Sequence, residues 1–477
     1  MKLILSSLAL FAVWCGAAIA AERPNIVIIF VDDLGINDLH CYGRAEHQTP
    51  HLDQLAKDGV RFTTAYCAQP ICSPSRAALM TGKSPARLNL TTFLPGRRDA
   101  SSQLLLHPQI NQQLPLSEVT IAEMLREAGY ATGCVGKWHL GGAGFGPKDQ
   151  GFDFYHAGKA NTPPTETEGG KGEYDLTAAA EKFITENKDK PFFLYLSHNN
   201  PHVVLSAQPK LIEKHKDTFN PIYAAMIETL DTTVGRLLAK IDELELRKNT
   251  LVIFLSDNGG LHVPETPNTP ATHNTPFRAG KGFVYEGGLR VPMIIRWPGK
   301  ISPGQEISAP VIQTDLVPTL LSVAGVQSTV QFDSVDLSPL FAKKGLQDRD
   351  LFWHFPHYTN QGSKPAGAIR SGDWKLIEHY EDGQVELFNL RDDVSETKNL
   401  AVEEPERAKS LQARLAAWRK EMGAQENTKN PSFDAAAHRV IYHDYDVSKL
   451  QPQKTAVETA APLKEWRAAM DAAVKTK

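Results

Sequence analysis

Cysteine is scarce in this chain: five residues in 477, one of them (Cys15) inside the amino-terminal apolar segment. Cys41, Cys67, Cys72 and Cys134 remain, enough for two disulfides in an exported protein, but a core of this size needs no such cross-links and no pairing is assigned. Excess charge of either sign is also missing. Lys and Arg number 51 against 55 Asp and Glu, a formal net charge of -4, which gives no reason to expect nucleic acid as a partner. No apolar run after residue 20 is long enough to span a bilayer, there is no internal repeat, and no His/Cys cluster has zinc spacing. The chain does have 42% hydrophobic and 22% charged residues, ordinary for a globular protein, and length for one large domain and a smaller one.

Residues 1–20 read as a secretory signal. Lys2 supplies the positive start, residues 3–13 the apolar stretch, and Ala18-Ile19-Ala20 the small-residue cleavage pattern. Trp14 before Cys15 is a poor fit to a lipoprotein site. Cleavage after Ala20 and export to the periplasm or medium are expected, with no membrane insertion afterwards.

Apolar β-branched runs at 25–31, 131–135, 191–197, 251–255 and 291–296 predict buried strands. Helices are expected at 50–59 behind a Thr49 cap and Pro50, at 117–128, within 219–246, and from an Asp315 cap to 323. Helices alternating with buried strands predict an α/β fold, a mostly parallel sheet sandwiched by helices, with ligands bound beyond the carboxyl ends of the strands. After about residue 335 the texture changes. Short strands at 366–370, 374–379 and 385–389, parted by Ser-Gly-Asp and Glu-Asp-Gly turns, and a helix at 404–422 predict a small antiparallel sheet with one helix. The expected division is a signal at 1–20, a catalytic α/β domain at 21–335, an α+β subdomain at 336–430, and a polar, irregular tail at 431–477 with a terminal helix at 462–474.

Candidate chemistry gathers at the strand ends. Asp32-Asp33 follows the first strand and Asp257-Asn258 follows the run at 251–255, so four hard oxygen donors sit at two equivalent places, a set suited to calcium or magnesium. Strand-end turns use the same residue types; two such pairs at equivalent ends favour a metal. Lys137 and His139, two residues apart after a strand, are expected to point the same way. His202 follows Pro201, with His198 as its neighbour and competitor. Lys281 lies in Gly280-Lys281-Gly282. Arg76, Lys137 and Lys281 together supply what a sulfate or phosphate oxyanion needs. Residues 89–116, 160–174 and Trp353-His354-Phe355-Pro356-His357-Tyr358 look like a rim around this site, core packing being the other reading of the aromatics.

The stretch Cys72-Ser73-Pro74-Ser75-Arg76, continuing as CSPSRAALMTG, and GYATGCVGKWH from Gly129 carry a family resemblance, together with SDNGG from Ser256, GKGFVYEGGLRVP from Gly280 and DLVPTLL from Asp315. In this order they resemble the type I sulfatases of the arylsulfatase A and N-acetylgalactosamine-6-sulfatase kind, in the alkaline phosphatase-like superfamily. The resemblance implies that a maturase oxidises Cys72 to formylglycine, whose hydrate is the nucleophile. It also implies a calcium ion held by Asp32, Asp33, Asp257, Asn258 and residue 72. Arg76 and His139 would hold the two hydroxyls of the hydrate, Lys137 and Lys281 would grip the sulfate, and His202 would protonate the leaving alcohol. The family commonly has proline two residues beyond that histidine; here it is Val204. The implied reaction is release of sulfate from a sulfated glycan, galactose or N-acetylgalactosamine sulfate first. Alternatives are a phosphonate or phosphate ester hydrolase of the same superfamily, marked by a second metal, and a non-catalytic glycan-binding protein.

Overall fold

Three unbroken apolar runs, Asn25–Val31 (β1), Phe192–Ser197 (β5) and Thr250–Ser256 (β6), lie side by side and parallel with every residue buried. Unbroken rather than alternating apolar sequence marks a sheet covered on both faces. In the computed structural model, which describes residues 23–475, these three are the middle of an eight-stranded sheet. Its other strands are Val60–Phe62 (β2), Ala131–Gly136 (β3), Phe154–His156 (β4), Met293–Arg296 (β7) and Gln305–Ile307 (β8), in the order β8-β2-β7-β6-β1-β5-β3-β4. Only β7 runs against its neighbours. The signal expected at 1–20 lies outside the described residues.

Strand alternation splits the core in two. Val27, Ile29 and Val31 pack with helices Glu173–Glu186 and Pro221–Glu243 on one face. Ile26, Ile28 and Phe30 pack with Cys72–Thr81, Ile121–Glu127 and Leu316–Ala324 on the other. Register then sets the site. Val31 pairs with Ser256, Phe30 with Ser197, and Gly136 with Ser197, so Asp32, Asp257, His198 and Lys137 all leave the sheet at one carboxyl edge.

A second sheet, antiparallel, holds Asp350–Phe355 (β9), Ala366–Ser371 (β10), Trp374–His379 (β11) and Val385–Asn389 (β12) in sequence order. Helix Pro405–Met422 covers one face through Leu411 and Leu415. The fold is therefore α/β, a mixed and mostly parallel sheet sandwiched by helices, with a smaller antiparallel sheet and helix beside it.

Local expectations are corrected at several points. The helix expected at 117–128 is Ile121–Glu127, because Thr120 and Glu123 form a reciprocal capping box that fixes its start. Thr49 and Asp315 do not cap with their side chains. The Thr49 hydroxyl accepts from the His40 amide and donates to Asp53, while Asp315 accepts from the Ile312 and Val335 amides and pairs with Arg349. The stretch 353–358 is no open rim: Trp353, His354, Phe355, His357 and Tyr358 are all buried, most of them in or next to β9. The tail is not irregular either. It forms Ala435–Tyr442, Ala456–Ala460 and Lys464–Lys475, and Trp466, wholly buried, donates its indole N–H to the Ile441 carbonyl at 3.1 Å. The four cysteines are all unpaired.

Candidate active site

Helix Cys72–Thr81 starts at the carboxyl edge of the sheet, and its first five residues each do a separate job. Cys72, 2% exposed, aims its Sγ at Asp32, 3.5 Å from Oδ1. The Ser73 hydroxyl accepts from the Leu94 amide at 3.1 Å, fixing the loop over the site. Pro74 lacks the N–H that a first helical turn would leave unpaired. Ser75 donates to the Asp257 carbonyl. Arg76, fully buried, reaches back under the sheet edge to Asp257 Oδ2 at 2.8 Å and Ser197 Oγ at 2.6 Å, and its guanidinium lies over the Phe30 ring at 5.1 Å. Burial opposes ionisation of the Cys72 sulfur and pushes the thiol well above its usual range, although Lys137 and Lys281 pull the other way.

Around this helix start the charges alternate. Lys137 Nζ is 2.6 Å from Asp32 Oδ2, and Lys281 Nζ is 2.7 Å from Asp33 Oδ2. Burial opposes ionisation of Asp32, yet Lys137, His202, Arg76 and Lys281 together hold it well below the usual carboxylate range. Asp33 is likewise lowered against its burial, chiefly by Lys281 and His202. Asp257 goes the other way: burial and the neighbouring Asp32 push it up to about 7. The Asp33 amide donates to Asp257 Oδ1 at 3.0 Å, and Asn258 Nδ2 donates to Asp33 Oδ1 at 2.8 Å. These bonds tie the two strand ends into one cluster.

The donor set suits a hard cation. Donor atoms of Asp32, Asp33, Cys72 and His202 all lie within 4.8 Å of one another. Asn258 Oδ1 is buried with no partner, although a buried carbonyl oxygen ordinarily has one. Three carboxylates face three basic side chains, so the formal charge is balanced. A dication would leave the net positive field that a sulfate ester anion requires.

The histidines separate clearly. His198 is wholly buried and pairs through Nδ1 with Glu173. His202 keeps 29% of its side chain exposed, with Nε2 3.6 Å from Asp33 Oδ2 and Nδ1 on the Val203 carbonyl. Burial and Lys281 lower its pKa to about 4. His139 converges with Lys137, but not by strand alternation: β3 ends at Gly136, and His139 has a left-handed φ of 58°. Its Nε2 faces the Leu94 carbonyl at 3.0 Å, which assigns the proton to Nε2 and leaves Nδ1, buried and unpartnered, as an acceptor. Burial and Lys137 lower its pKa to about 3.

Asp32, Asp33, Cys72, Arg76, Lys137, His202, Asp257, Asn258 and Lys281 thus meet within one site, His139 stands beside it on the Leu94 carbonyl, and His198 turns away to Glu173. Sequence reasoning missed Ser197 and Glu173, which fix Arg76 and His198, and Lys171. Ser197 ends an apolar strand as any turn residue would, and Lys171 and Glu173 sit in a Gly-rich polar stretch with no periodic signal.

The sulfatase family model matches residues 24–326, and that of the N-sulphoglucosamine sulphohydrolase C-terminal region matches residues 278–424. Human arylsulfatase A is 36% identical over 417 residues, 77% of this chain and 76% of that protein. Mouse N-acetylgalactosamine-6-sulfatase is 34% identical over 388 residues, 74% of this chain and 72% of that protein. The solved structure of Ps i-CgsB in complex with k-i-k-neocarrahexaose is similar with a TM-score of 0.72 and 28% identity, covering 95% of this chain and 100% of that one. Motifs, fold and relatives agree, and this chain belongs to the formylglycine-type sulfatase family and is a sulfatase.

Proposed function

We propose that this enzyme releases inorganic sulfate from a sulfated carbohydrate, galactose or N-acetylgalactosamine sulfate foremost, using formylglycine at position 72 and calcium. The observation that carries the reading is the convergence of Arg76, Lys137 and Lys281 with three buried carboxylates on the start of the helix that bears Cys72. A relative named for N-acetylgalactosamine 6-sulfate and a similar structure solved with a neocarrahexaose support a carbohydrate substrate.

Sγ of Cys72 stands where the oxygens of the matured residue would be. Formylglycine would supply an oxygen nucleophile in place of a thiol that its burial keeps protonated. Calcium, held by Asp32, Asp33, Asp257, Asn258 and residue 72, would supply charge neutralisation of the ester. The chain's own groups do the rest. Lys137 and Lys281 bind the sulfate oxygens, while Arg76, expected to hold a hydroxyl of the hydrate, is paired with Asp257 at 2.8 Å and Asp32 at 3.5 Å and so holds those carboxylates in place. His202, its Nδ1–H tied to the Val203 carbonyl, presents Nε2 to the leaving oxygen and, in its imidazolium form, delivers the Nε2 proton there. His139 Nδ1 is the acceptor for the proton released as sulfate departs. Maturation by a formylglycine-generating enzyme and export follow from the same reading.

The test is a panel of defined sulfated mono- and disaccharides assayed for released sulfate, with mass spectrometry of the tryptic peptide ending at Arg76. Turnover of galactose-type sulfates by protein carrying an aldehyde at residue 72 is expected. Activity with an intact thiol at residue 72, or activity confined to phosphonate or phosphate esters, would overturn the reading.

A further inference from the structure

The stretch that follows β5, residues 198–204, has no regular structure of its own, yet it carries the histidine at the mouth of the site. It is held by two residues, Lys171 just ahead of helix Glu173–Glu186 and Glu173 at its start. Glu173 Oε1 accepts from the Asn199 and Asn200 amides at 2.9 Å each, and Oε2 pairs with His198. The Lys171 carbonyl accepts from Asn199 Nδ2 at 2.9 Å. Lys171 Nζ then reaches further along, to the Val203 and Val204 carbonyls at 3.2 and 3.3 Å and to Asn161 Oδ1 at 3.3 Å.

Lys171 is 3% exposed. Among the described residues no carboxylate lies within the 4.0 Å of an ion pair, so its ammonium is a buried cation served by neutral oxygens alone. Burial lowers its pKa, and a charge buried without a counter-ion is costly to keep. All three ammonium protons are engaged, which leaves none for a substrate sulfate. One of its acceptors, however, is also the acceptor of His202: the Val203 carbonyl takes the Nδ1–H of His202 on one lone pair and the Lys171 ammonium on the other.

We propose that Lys171 is a positioning residue for the sulfatase reaction, pinning the Val203 and Val204 carbonyls so that the His202 ring is held with Nδ1 bound and Nε2 facing the leaving oxygen. The proposal rests on the reading of His202 as proton donor. Without Lys171 the 203–204 peptides lose two fixed bonds, and the carbonyl that anchors the ring is no longer pinned. A displacement of about 1 Å in a reacting group costs on the order of 10²-fold in rate, within the roughly 10²–10⁴-fold that a general acid supplies.

The experiment compares 4-nitrophenyl sulfate with phenyl sulfate, whose poorer leaving group depends more on proton donation, in the matured full-length enzyme and in Lys171→Met, His202→Ala and the double variant. In Lys171→Met, kcat on phenyl sulfate should fall about 10- to 100-fold, 4-nitrophenyl sulfate should lose less than about threefold, and KM should stay within about twofold for both. Added to His202→Ala, Lys171→Met should cost nothing more. Where His202→Ala is itself selective for phenyl sulfate, equal losses on both esters in Lys171→Met would overturn the proposal, and losses additive with His202→Ala would overturn it in any case. If His202→Ala itself affects both esters equally, the general-acid reading falls. Lys171 then keeps its assignment only if its variant reproduces the His202→Ala profile without adding to it. Should Lys171→Met not fold, Asn161→Ala removes one of the three bonds and should show the same selective loss at a few-fold level; a uniform loss would count against the proposal.

Discussion

Lys375→Met should destabilise the protein strongly, and more so the higher the pH. Lys375, on β11, is wholly buried between Glu286 Oε1 at 3.0 Å and Glu396 Oε1 at 2.9 Å. Tyr66 also donates to Glu286 at 2.8 Å, and Glu396 Oε2 accepts from the Glu286 amide at 2.7 Å. Removing one partner of a buried ion pair costs about 3–5 kcal/mol, because the other charge stays behind unpaired. The two carboxyls respond differently. Glu286, despite burial, is held at about 2 by Lys375, Arg290 and Arg370, whereas burial pushes Glu396 up to about 7. A raised carboxyl pKa means that folding stability is lost as pH rises through the folded value. Loss of Lys375 raises the Glu396 value further. Above pH 7 the folded variant then keeps a proton that the folded wild type has released, and the gap between them widens by about 1.4 kcal/mol per pH unit. The expected cost is about 3 kcal/mol at pH 5.5 and about 5 kcal/mol at pH 8.5, read from urea unfolding followed by tryptophan fluorescence. Lys375→Met/Glu396→Gln should show no such growth with pH. A cost below about 1 kcal/mol at pH 8.5, or one equal at both pH values, would refute the reasoning. The site should feel the change as well. The helix Glu286–Leu289 meets the Asp257-Asn258 turn where the Gly259 amide donates to the Gly288 carbonyl at 3.0 Å, and a Cβ on Gly259 would come within 1.9 Å of the Gly287 carbonyl oxygen.

Lys137→Met and Lys281→Met should each lower kcat/KM at least about 10²-fold on activated and unactivated esters alike, in contrast to the selective loss expected for His202→Ala; a leaving-group-dependent loss in either lysine variant would contradict its assignment to the sulfate oxygens. Chelation of divalent cations should abolish turnover and lower the thermal midpoint together, with calcium restoring both; unchanged activity after exhaustive chelation would remove the metal from the mechanism. Burial depresses His262 to about 4 and His354 to about 3. Their contribution to stability is present above the unfolded value near 6.5 and is lost as pH falls through that window, at up to about 3 kcal/mol for His262. His262→Phe should therefore flatten the fall in unfolding free energy between pH 6.5 and 4, and an unchanged acid slope would show that this ring is not buried neutral.

The chain announced its site by local chemistry. Asp32-Asp33 and Asp257-Asn258 each follow an apolar run, and strand length and strand end are short-range properties that composition and period reveal. The tail gives no such signal, for the opposite reason. Trp466 and Ile441 sit in short amphipathic pieces separated by polar residues, and only the surface they pack against makes those pieces helical. The pleat ends at Gly136 and cannot bring His139 beside Lys137; a left-handed turn at His139 does so instead. Lys171 gave no signal, because a lysine among glycines looks the same whether it is solvated or buried under two carbonyls.

By itself the sequence determined which chemical groups are available: a modifiable Cys72 at a helix start, paired carboxylates at strand ends, three basic side chains and the motifs that mark the family. Tertiary structure decided their partners. The Asp33 amide meets Asp257 across 224 residues, and that meeting depends on β6 lying next to β1 in register, a choice made by the burial of both strands on both faces. The same packing gave Lys137 to Asp32 and Lys281 to Asp33, sealed His198 against Glu173, and left His202 facing out. Periodicity acts over a few residues, whereas the pairing of charges is set by which distant strands share a sheet.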